Sequence, residues 1–284
     1  GKTNFSGFLA ASAAQLAMKT ALPVRFVLPR DTDTTLVGGR QELDGAWEAA
    51  VDPSTWKIQA LSYELWLAHG CGEDLQKLLA QILPSAMDEV YDIPSIAVDL
   101  HLIQQHLPNR TAVRAPGHFE ASLLTEAVFD GVSAHLGIPG HTLRERNFYR
   151  GTGNTSGLAG GLMPQGSLEG YSNLALWERL KARAGYEQRL QEVQAFNKAN
   201  TWKKRGLSMT PARYTMASTP GNSARVDIFR DGSVQIALSG SEIGQGLHTK
   251  VGQMVSTAFA RELGVGPPMS CIRFLDTSSD QNPN

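Results

Sequence analysis

The stretch 240–250, GSEIGQGLHTK, has the composition of a ligand-binding turn. Gly244 and Gly246 carry no Cβ, so a ligand could approach the backbone closely, and Gln245 can both donate and accept hydrogen bonds. An apolar helical pattern follows directly, and backbone N–H groups at a helix N-terminus favour an anion. The stretch therefore predicts a cradle for a polar or phosphorylated ligand. A plain tight turn remains the alternative, because neither GxGxxG nor GxxxxGK[ST] spacing is present.

Other chemistry-bearing residues form no compact motif. Cys71 and Cys271 stand alone and the seven histidines are scattered, so neither a zinc site nor an Fe–S cluster is predicted inside this chain. We interpret the basic run 203–205 as a solvated turn rather than an anion site. No protein metal ligand is assigned.

Composition narrows the class of protein. The chain has 284 residues, 42% of them hydrophobic, and a formal net charge of −1. This balance predicts a globular protein and argues against a nucleic-acid partner. No apolar stretch is long enough for a membrane span, and two isolated thiols suit a reducing compartment, which we expect to be the cytoplasm. Both ends look cut, which suggests a piece of a longer polypeptide.

Helical spacing of apolar residues predicts several helices. We expect the third helix to carry its apolar stripe on Leu123, Leu124, Val128 and Val132 and to end at Gly137. The predicted helices cover 4–19, 75–83 (ended by Pro84), 120–137, 174–185, 186–197 and the region from about 247 to 263, the last with Val251, Met254, Val255, Phe259 and Leu263 as apolar positions.

Strand patterns occur in both halves of the chain. Residues 24–28, VRFVL, read as a buried strand followed by a turn, and strand-rich sequence then continues to about residue 67. A further strand is predicted after the turn at 91–94. Asp231-Gly232 lies between two alternating stretches, which predicts a hairpin. Its buried face is predicted to hold Val226, Ile228, Val234 and Ile236.

The mixture of elements predicts an α+β (mixed α/β) fold with two subdomains. Residues 151–170 hold seven glycines and mark the best internal boundary, as a flexible linker would. We therefore predict a first subdomain over 1–150, a Gly-rich linker over 151–170 and a second subdomain over 171–284.

Several motifs, taken in order, resemble one family. Gly1-Lys2 is similar to the end of a GGGFGGK loop, and 23–40 to a PVR…GGRH stretch. TAVRAPG (111–117), NKANTWKKRGLSMTPARY (197–214), EIGQG (242–246) and DTSSDQNPN (276–284) follow. This set resembles the molybdenum hydroxylases, the aldehyde oxidase and xanthine dehydrogenase family, over essentially the whole chain. RAPG, EIGQG and STPG (218–221) resemble aldehyde oxidases more closely.

The resemblance implies a molybdopterin-binding region, incomplete at both ends, and a set of cofactor-binding residues. Gly1, Ile243, Gly244 and Gln245 would line the pterin. Arg114 would lie near the molybdenum in a supporting catalytic role, the alternative being an ordinary surface salt bridge. The pterin would sit where the two subdomains meet.

The resemblance also implies a substrate pocket. Thr3 and Ile82 stand where xanthine-type members have a glutamate and an arginine, and Pro116 replaces a phenylalanine. Ser218 falls near a second aromatic position, and His118, after RAPG, would border the pocket. A purine would lose hydrogen-bond partners in such a site. We therefore expect an aldehyde or N-heterocycle substrate rather than xanthine.

The implied reaction is hydroxylation with water-derived oxygen, with electrons leaving through 2Fe–2S clusters to FAD in other parts of a longer, homodimeric parent. The family's general base, a glutamate, has no counterpart here, since Glu120 opens a helix and Glu242 lies inside the turn. The chain alone is therefore expected to be inactive. Two alternatives stay open: a xanthine dehydrogenase-type purine hydroxylase, or a truncated, non-catalytic pterin-binding or interaction module. An unrelated nucleotide-binding protein would rest on the Gly-rich turn alone.

Overall fold

The computed structural model describes residues 6–150, 168–214, 222–276 and Ser278. It divides into two compact units, the first spanning Ala21–Thr215 and the second combining Lys2–Thr20 with Met216–Asn284. The helices are α1 (Ser6–Thr20), α2 (Arg30–Val37), α3 (Gln76–Ala86), α4 (His118–Leu136), α5 (Gly140–Asn147), α6 (Asn173–Ala184), α7 (Tyr186–Ala199) and α8 (Leu247–Leu263). The strands are β1 (Glu42–Val51), β2 (Ile58–Gly70), β3 (Ser95–Gln104), β4 (Ala224–Ile228), β5 (Val234–Leu238) and β6 (Ile272–Phe274).

The first unit is built on a three-stranded sheet with the order β1-β2-β3. β1 and β2 pair antiparallel, whereas β2 and β3 pair parallel through the connection that contains α3. Alternate residues of β2 are buried because one face of the sheet is covered by α3 and α4. The buried residues of this strand include Leu61, Tyr63, Leu65 and Leu67.

Aromatic rings fill the core of the first unit. Tyr91 stacks on Phe129 of α4 with ring centroids 3.9 Å apart, and Phe148 lies 5.7 Å from the same tyrosine. Trp177 of α6 meets Phe148 edge-on at 5.2 Å, so α6 is part of this core. The fully buried guanidinium of Arg144 is neutralised within α4 and α5 by Glu126 and Asp130.

The second unit contains a smaller three-stranded sheet with the order β4-β5-β6. β4 and β5 form an antiparallel hairpin, and β6 adds to β5 in parallel. Helix α8 packs on this sheet through Leu247, Val251 and Val255. The buried strand residues are Val234, Ile236, Leu238 and Ile272.

Most of the predicted elements are confirmed: the mixed α+β class, the helices, the third strand and the hairpin all occur. Two predictions near the start are wrong. Residues 24–28 form no strand, and the following RDTDTTLV is helix α2 rather than a turn. A run of apolar residues indicates burial only if a neighbouring strand pairs with it, and none does here among the described residues. Asp31 and Asp33 stand in the first turn of α2, where carboxylates favour the helix dipole.

Three details of burial and length also differ from prediction. Helix α3 continues past Pro84 to Ala86, which is possible because proline is close to the end, where few i→i−4 bonds are lost. Leu123, Met254 and Leu263 are exposed rather than core residues. Val226 and Ile228 pair with the buried Ile236 and Val234, yet both are exposed because β4 is an edge strand.

The predicted linker falls mostly on residues 151–167, which lie outside the described residues. The predicted boundaries of the subdomains therefore remain predictions. Helices α6 and α7 belong to the first compact unit.

Candidate functional site

The turn Arg114–Gly117, in the sequence RAPG, joins the segment after β3 to the start of α4 and has a strained backbone. Ala115 has φ 58° and Gly117 has φ 74°. The left-handed region is disfavoured for a residue with a Cβ, so Ala115 needs support from its surroundings. The helix starts directly on this turn: Phe119 N–H donates to the Ala115 oxygen, and Ala121 N–H to the Gly117 oxygen, both at 3.0 Å.

Arg40 holds this turn from the other side of the fold. Its Nη2 donates to the backbone oxygen of Arg114 at 2.6 Å, and its Nη1 donates to Glu120 Oε1 at 2.9 Å. The guanidinium also lies over the Phe119 ring, 4.4 Å from the centroid. Glu120 is buried and the Arg40 side chain is only 24% exposed, so the pair is well shielded from water. We call this arrangement the Arg40 clamp.

Helix α3 also supports the turn, through Ile82, which lies against Gly117. A Cβ added to Gly117 would lie 2.8 Å from Ile82 Cγ2 and 3.0 Å from the backbone nitrogen of Leu83. The structure thus brings together three of the sequence-predicted site residues: Arg114 and Pro116 in the turn and Ile82 against it. Ile82 is 7% exposed, so it presents little surface of its own.

The contacts described so far use the backbone of Arg114 and not its side chain. It is exposed, and among the described residues its guanidinium has no ion-pair or hydrogen-bond partner. The ordinary surface salt bridge considered for this residue is therefore not observed in the described part of the chain. An unpaired guanidinium on a backbone held in a strained form is free to bind an anionic or polar group.

A buried polar cluster borders the turn, and the sequence analysis missed most of it. The Arg213 guanidinium donates to both carboxylate oxygens of Asp88, one at 3.0 Å, and Arg213 N–H donates to Glu89 Oε2 at 3.0 Å. His118, next to Gly117, packs its ring on Tyr214 with centroids 4.6 Å apart. The sequence signal that could have indicated this cluster is the acidic pair Asp88-Glu89, which follows closely after the apolar helix α3.

Burial dominates the pKa values in this cluster. It raises the pKa of Glu89 to about 7, because the hydrogen bond and charge of Arg213 only partly offset the loss of hydration. Burial lowers the pKa of His118, and the charge of Arg213 lowers it further while Glu120 opposes the shift. His118 Nε2 and Glu89 Oε1 are buried without a hydrogen-bond partner among the described residues. His118 therefore stands beside the RAPG turn as a neutral imidazole near pH 7.

The turn 241–248 closes on itself, and its carboxylate uses the N–H groups predicted to bind an anion. Glu242 Oε1 accepts from the backbone N–H of Gly244 at 2.8 Å and of Gly246 at 3.0 Å. Glu242 Oε2 accepts from His248 N–H at 3.2 Å. These bonds, above all that from Gly244, lower the pKa of Glu242 and keep it ionised. The cradle predicted for a polar or phosphorylated ligand stays a prediction: in this structure Glu242 accepts from three of the N–H groups that an anion would use.

Gln245 is oriented by its own turn. Its Oε1 accepts from Ile243 N–H at 2.7 Å and its Nε2 donates to the Ser241 oxygen at 2.8 Å. One amide hydrogen and one oxygen lone pair remain for a ligand. Gly246, with φ 78°, has no atom within 4 Å of the place where a Cβ would be, so its backbone is open to approach. These exposed donors and acceptors carry no charge, so they suit a polar group of a ligand.

The remaining predicted residues lie beyond what the structure describes. Gly1, Thr3 and Ser218 are outside the described residues. Arg114 belongs to the first unit and Gln245 to the second, and each unit is described by itself. Their meeting around one cofactor remains a prediction. Among the described residues, no group of three or more His, Cys, Asp or Glu side chains could hold a metal ion, and no helix there has the length and apolarity to cross a membrane.

Comparison with family models finds two matches that follow one another along the chain. Both are described as molybdopterin cofactor-binding domains, the first over residues 1–148 and the second over residues 179–284.

Individual proteins show the same similarity. The chain is 32% identical to aldehyde oxidase 2 of Macaca fascicularis and 32% identical to the xanthine dehydrogenase/oxidase of Mus musculus, in each case over 100% of the chain and 20% of the relative. It spans about a fifth of the length of these curated relatives. Quinoline 2-oxidoreductase of Pseudomonas putida 86 matches in fold with a TM-score of 0.66 at 18% identity, over 92% of this chain and 33% of the other.

These matches confirm the resemblance read from the motifs, and they confirm molybdenum–molybdopterin as the cofactor of the region. The expectation of 2Fe–2S clusters and FAD in other parts of a parent protein is consistent with such relatives.

Proposed function

Because this chain belongs to the molybdopterin cofactor-binding domain family of the aldehyde oxidase and xanthine dehydrogenase type, we propose that it is the cofactor-binding part of a longer molybdenum hydroxylase. The proposed reaction is the aldehyde oxidase-like oxidation of aldehydes or N-heterocycles with oxygen derived from water. The observation that carries the proposal is the exposed Arg114, which has no side-chain partner among the described residues, on a clamped, strained turn within a chain that matches both domain models in order.

The residues of this chain would bind and orient the cofactor. Gln245 would offer its free amide hydrogen and oxygen lone pair to the pterin, while Gly1, Gly244 and the half-exposed Ile243 would line it. Arg114 would direct its guanidinium towards the metal end and stabilise negative charge there. The molybdenum cofactor, when bound, supplies Lewis-acid and two-electron redox chemistry.

The proposed substrate class follows from the apolar character around the turn. Ile82 packs on Gly117 and offers no hydrogen bond, and Pro116 has no N–H donor. Thr3 and Ser218 would complete the pocket. A purine bound here would leave its polar edges without partners, which selects against it by orders of magnitude compared with a site built for it. An aldehyde or a simple N-heterocycle loses much less.

The general base is proposed to come from outside this chain. Glu120 is held by Arg40, and Glu242 caps its own turn, so each carboxylate already serves a structural purpose. If the protein ends without supplying a base, the chain would act as a pterin-binding module without turnover.

The test is made on the protein isolated from its natural source. We expect about one molybdenum and one releasable pterin per chain, and a kcat/KM for aromatic aldehydes at least about tenfold above that for xanthine, since a few missing polar contacts suffice for such a ratio. Well-folded protein without molybdenum or pterin would refute the proposed function. Equal turnover of xanthine would refute only the substrate class, and bound pterin without turnover would support the non-catalytic module.

We propose a cytoplasmic homodimer as the working form of the longer protein, with 2Fe–2S clusters and FAD outside this region. The thiols of Cys71 and Cys271 are free, in keeping with a reducing compartment. Light scattering of the native protein tests the dimer, and the visible absorbance of flavin and Fe–S centres tests the additional cofactors.

A further inference from the structure

The Arg40 clamp joins parts of the chain that are far apart in sequence. Arg40 stands 74 residues before its carbonyl partner on Arg114 and 80 residues before Glu120. Among the described residues, no other side chain hydrogen-bonds to the turn Arg114–Gly117. The planar guanidinium of Arg40 bonds the turn through Nη2 and Glu120 of α4 through Nη1, and its face covers the Phe119 ring. One side chain therefore fixes both the strained backbone and the first turn of α4.

Stability alone does not explain why a charged pair is retained at this position. Glu120 is 3% exposed, and its Oε2 has no hydrogen-bond partner among the described residues. A buried ion pair with an unsatisfied oxygen is a poor source of stability, since an apolar pair of similar size does as well or better. What the pair does provide is direction: the Arg114 carbonyl oxygen is fixed at 2.6 Å from Arg40 Nη2.

We propose that Arg40, supported by Glu120, is a positioning residue that holds the Arg114–Gly117 turn in its strained form and so directs the Arg114 guanidinium. This inference rests on the proposed function, because it gives Arg114 a purpose at the cofactor. Arg40 touches neither cofactor nor substrate in this account and acts through the backbone of Arg114.

The experiment uses the native holoenzyme with the substitutions Arg40→Met, Arg40→Lys, Glu120→Gln and Glu120→Met. We expect Arg40→Met to lower kcat per bound molybdenum by roughly 100-fold with a smaller change in KM, since displacement of a positioned group by about 1 Å costs that much. Lysine keeps the charge but has a single nitrogen in place of the planar fork that reaches both acceptors and covers Phe119, so it should rescue little. Glu120→Gln keeps an oxygen acceptor for Arg40 and should stay within about threefold of the wild type, whereas Glu120→Met should not.

Arg110 provides the matched control. It is 23% exposed, pairs with Glu42 at the same end of the sheet, and does not contact the turn. Arg110→Met should lower stability less than Arg40→Met, because Glu42 is 57% exposed, and should leave kcat per bound molybdenum unchanged. If Arg40→Met lowers stability but changes kcat per bound molybdenum no more than Arg110→Met does, the clamp is merely structural and the proposal is wrong.

A readout independent of turnover is amide hydrogen exchange at Phe119 and Ala121, whose N–H groups bond back to the turn. Both amides should exchange faster in Arg40→Met and keep the wild-type rate in Arg110→Met. Unchanged exchange in Arg40→Met would overturn the proposal even in a protein that shows no turnover.

A double substitution separates the clamp from the proposed function. With Arg114→Met already in place, adding Arg40→Met should lower kcat by no more than about twofold, because the second residue acts only through the first. Additive losses would overturn the proposal. If wild-type protein lacks molybdenum, the proposed function fails and the exchange data still decide the clamp. If the wild-type protein binds molybdenum and is active, but Arg114→Met does not change kcat, the clamp has no catalytic purpose and the proposal also fails.

Discussion

The two turns that contain proposed cofactor-binding residues are stabilised in opposite ways. The turn at 241–248 is closed by its own residues, since every bond that Glu242 and Gln245 make there spans six positions or fewer. The RAPG turn is held by residues that are far away in sequence, Arg40 and Ile82, and contains a strained alanine. The turn at 241–248 needs only its own residues to form. The RAPG turn can take its observed form only when the first unit is folded, because its supports come from distant parts of the chain.

This contrast explains what each turn can do. The 241–248 turn presents the oriented side-chain amide of Gln245. It can lie exposed to solvent because the hydrogen bonds that hold its backbone come from its own residues. The RAPG turn keeps a free guanidinium at the cost of strain that the surrounding core must balance. The predictions below test whether that division holds. All five tryptophans lie within the first unit, so tryptophan fluorescence during urea unfolding reports on that unit selectively.

The largest expected effect is that of Gly117→Ala. The new Cβ would combine a left-handed backbone with contacts at 2.8 Å to Ile82 and 3.0 Å to the backbone of Leu83. We expect the first unit to lose about 4 kcal/mol, the sum of backbone strain and overpacking. Gly137→Ala is the control: its φ is 66°, but no atom lies within 4 Å of a Cβ there, so only about 1 kcal/mol of strain should appear. Equal losses would show that Ile82 does not confine the turn.

The pH dependence of the first unit should be governed in part by Glu89. Its pKa is about 7 in the folded protein, above the ordinary 4.5, so the unfolded chain releases this proton first as the pH rises. The stability of the first unit should therefore fall between about pH 4.5 and pH 7, by about 3 kcal/mol for this residue at most. Glu89→Gln should remove that part of the slope in urea unfolding. A slope unchanged by this substitution would contradict the assigned pKa.

Glu120→Ala should have a smaller effect on the first unit. It removes a charge-assisted hydrogen bond to Arg40, worth about 2 kcal/mol, while also removing a buried oxygen without a partner. Fluorescence-detected urea unfolding gives the loss. Arg40→Met also breaks the bond to the Arg114 oxygen, but both changes break the Arg40–Glu120 contact, so the double variant should lose less than the sum of the two single losses. Fully additive losses would mean that the two side chains act separately.

The smallest effect is expected for Glu242→Ala in the second unit. The carboxylate is exposed, so its loss should leave the fluorescence transition of the first unit unchanged. Amide exchange at Gly244, Gly246 and His248 should become faster, because their acceptor is gone. In the wild type, the protection of these amides relative to their intrinsic exchange rates should fall in the same way only once the pH passes below the lowered pKa of Glu242, where the carboxylate is protonated. If amide exchange responds neither to Glu242→Ala nor to the pH change, the turn does not depend on the Glu242 carboxylate.

The same contrast determines what the sequence could predict. The hairpin at Asp231-Gly232, helix α4 with its end at Gly137, and the turn before α8 were all readable because their signals are local. The strand predicted at 24–28 failed because pairing depends on a partner elsewhere in the chain. Leu123 and Met254 were misassigned since an apolar stripe does not show where its covering element ends.

Around the proposed site residues, local chemistry did not predict the contacts between distant parts of the chain. The residues of the RAPG and EIGQG motifs could be picked out from their resemblance to known enzymes, but no pattern linked Arg40 to Arg114 or Glu89 to Arg213. Glu242 was visible in the turn, yet its use of the N–H groups depends on side-chain rotamers, which spacing does not define. Long-range pairs of this kind are fixed only by the packed fold.

The position of Arg40 two residues before β1 has a consequence for how the protein matures. A one-residue slip of β1 against β2 would shift the start of the strand by about 3.4 Å and turn its side chains to the opposite face. The Arg40 guanidinium would then no longer reach the Arg114 carbonyl oxygen, and Ala115 could leave its strained left-handed conformation. A chain that matures with a misaligned sheet would thus lose the contact that holds the Arg114–Gly117 turn, so the strand register and the shape of the turn are fixed together.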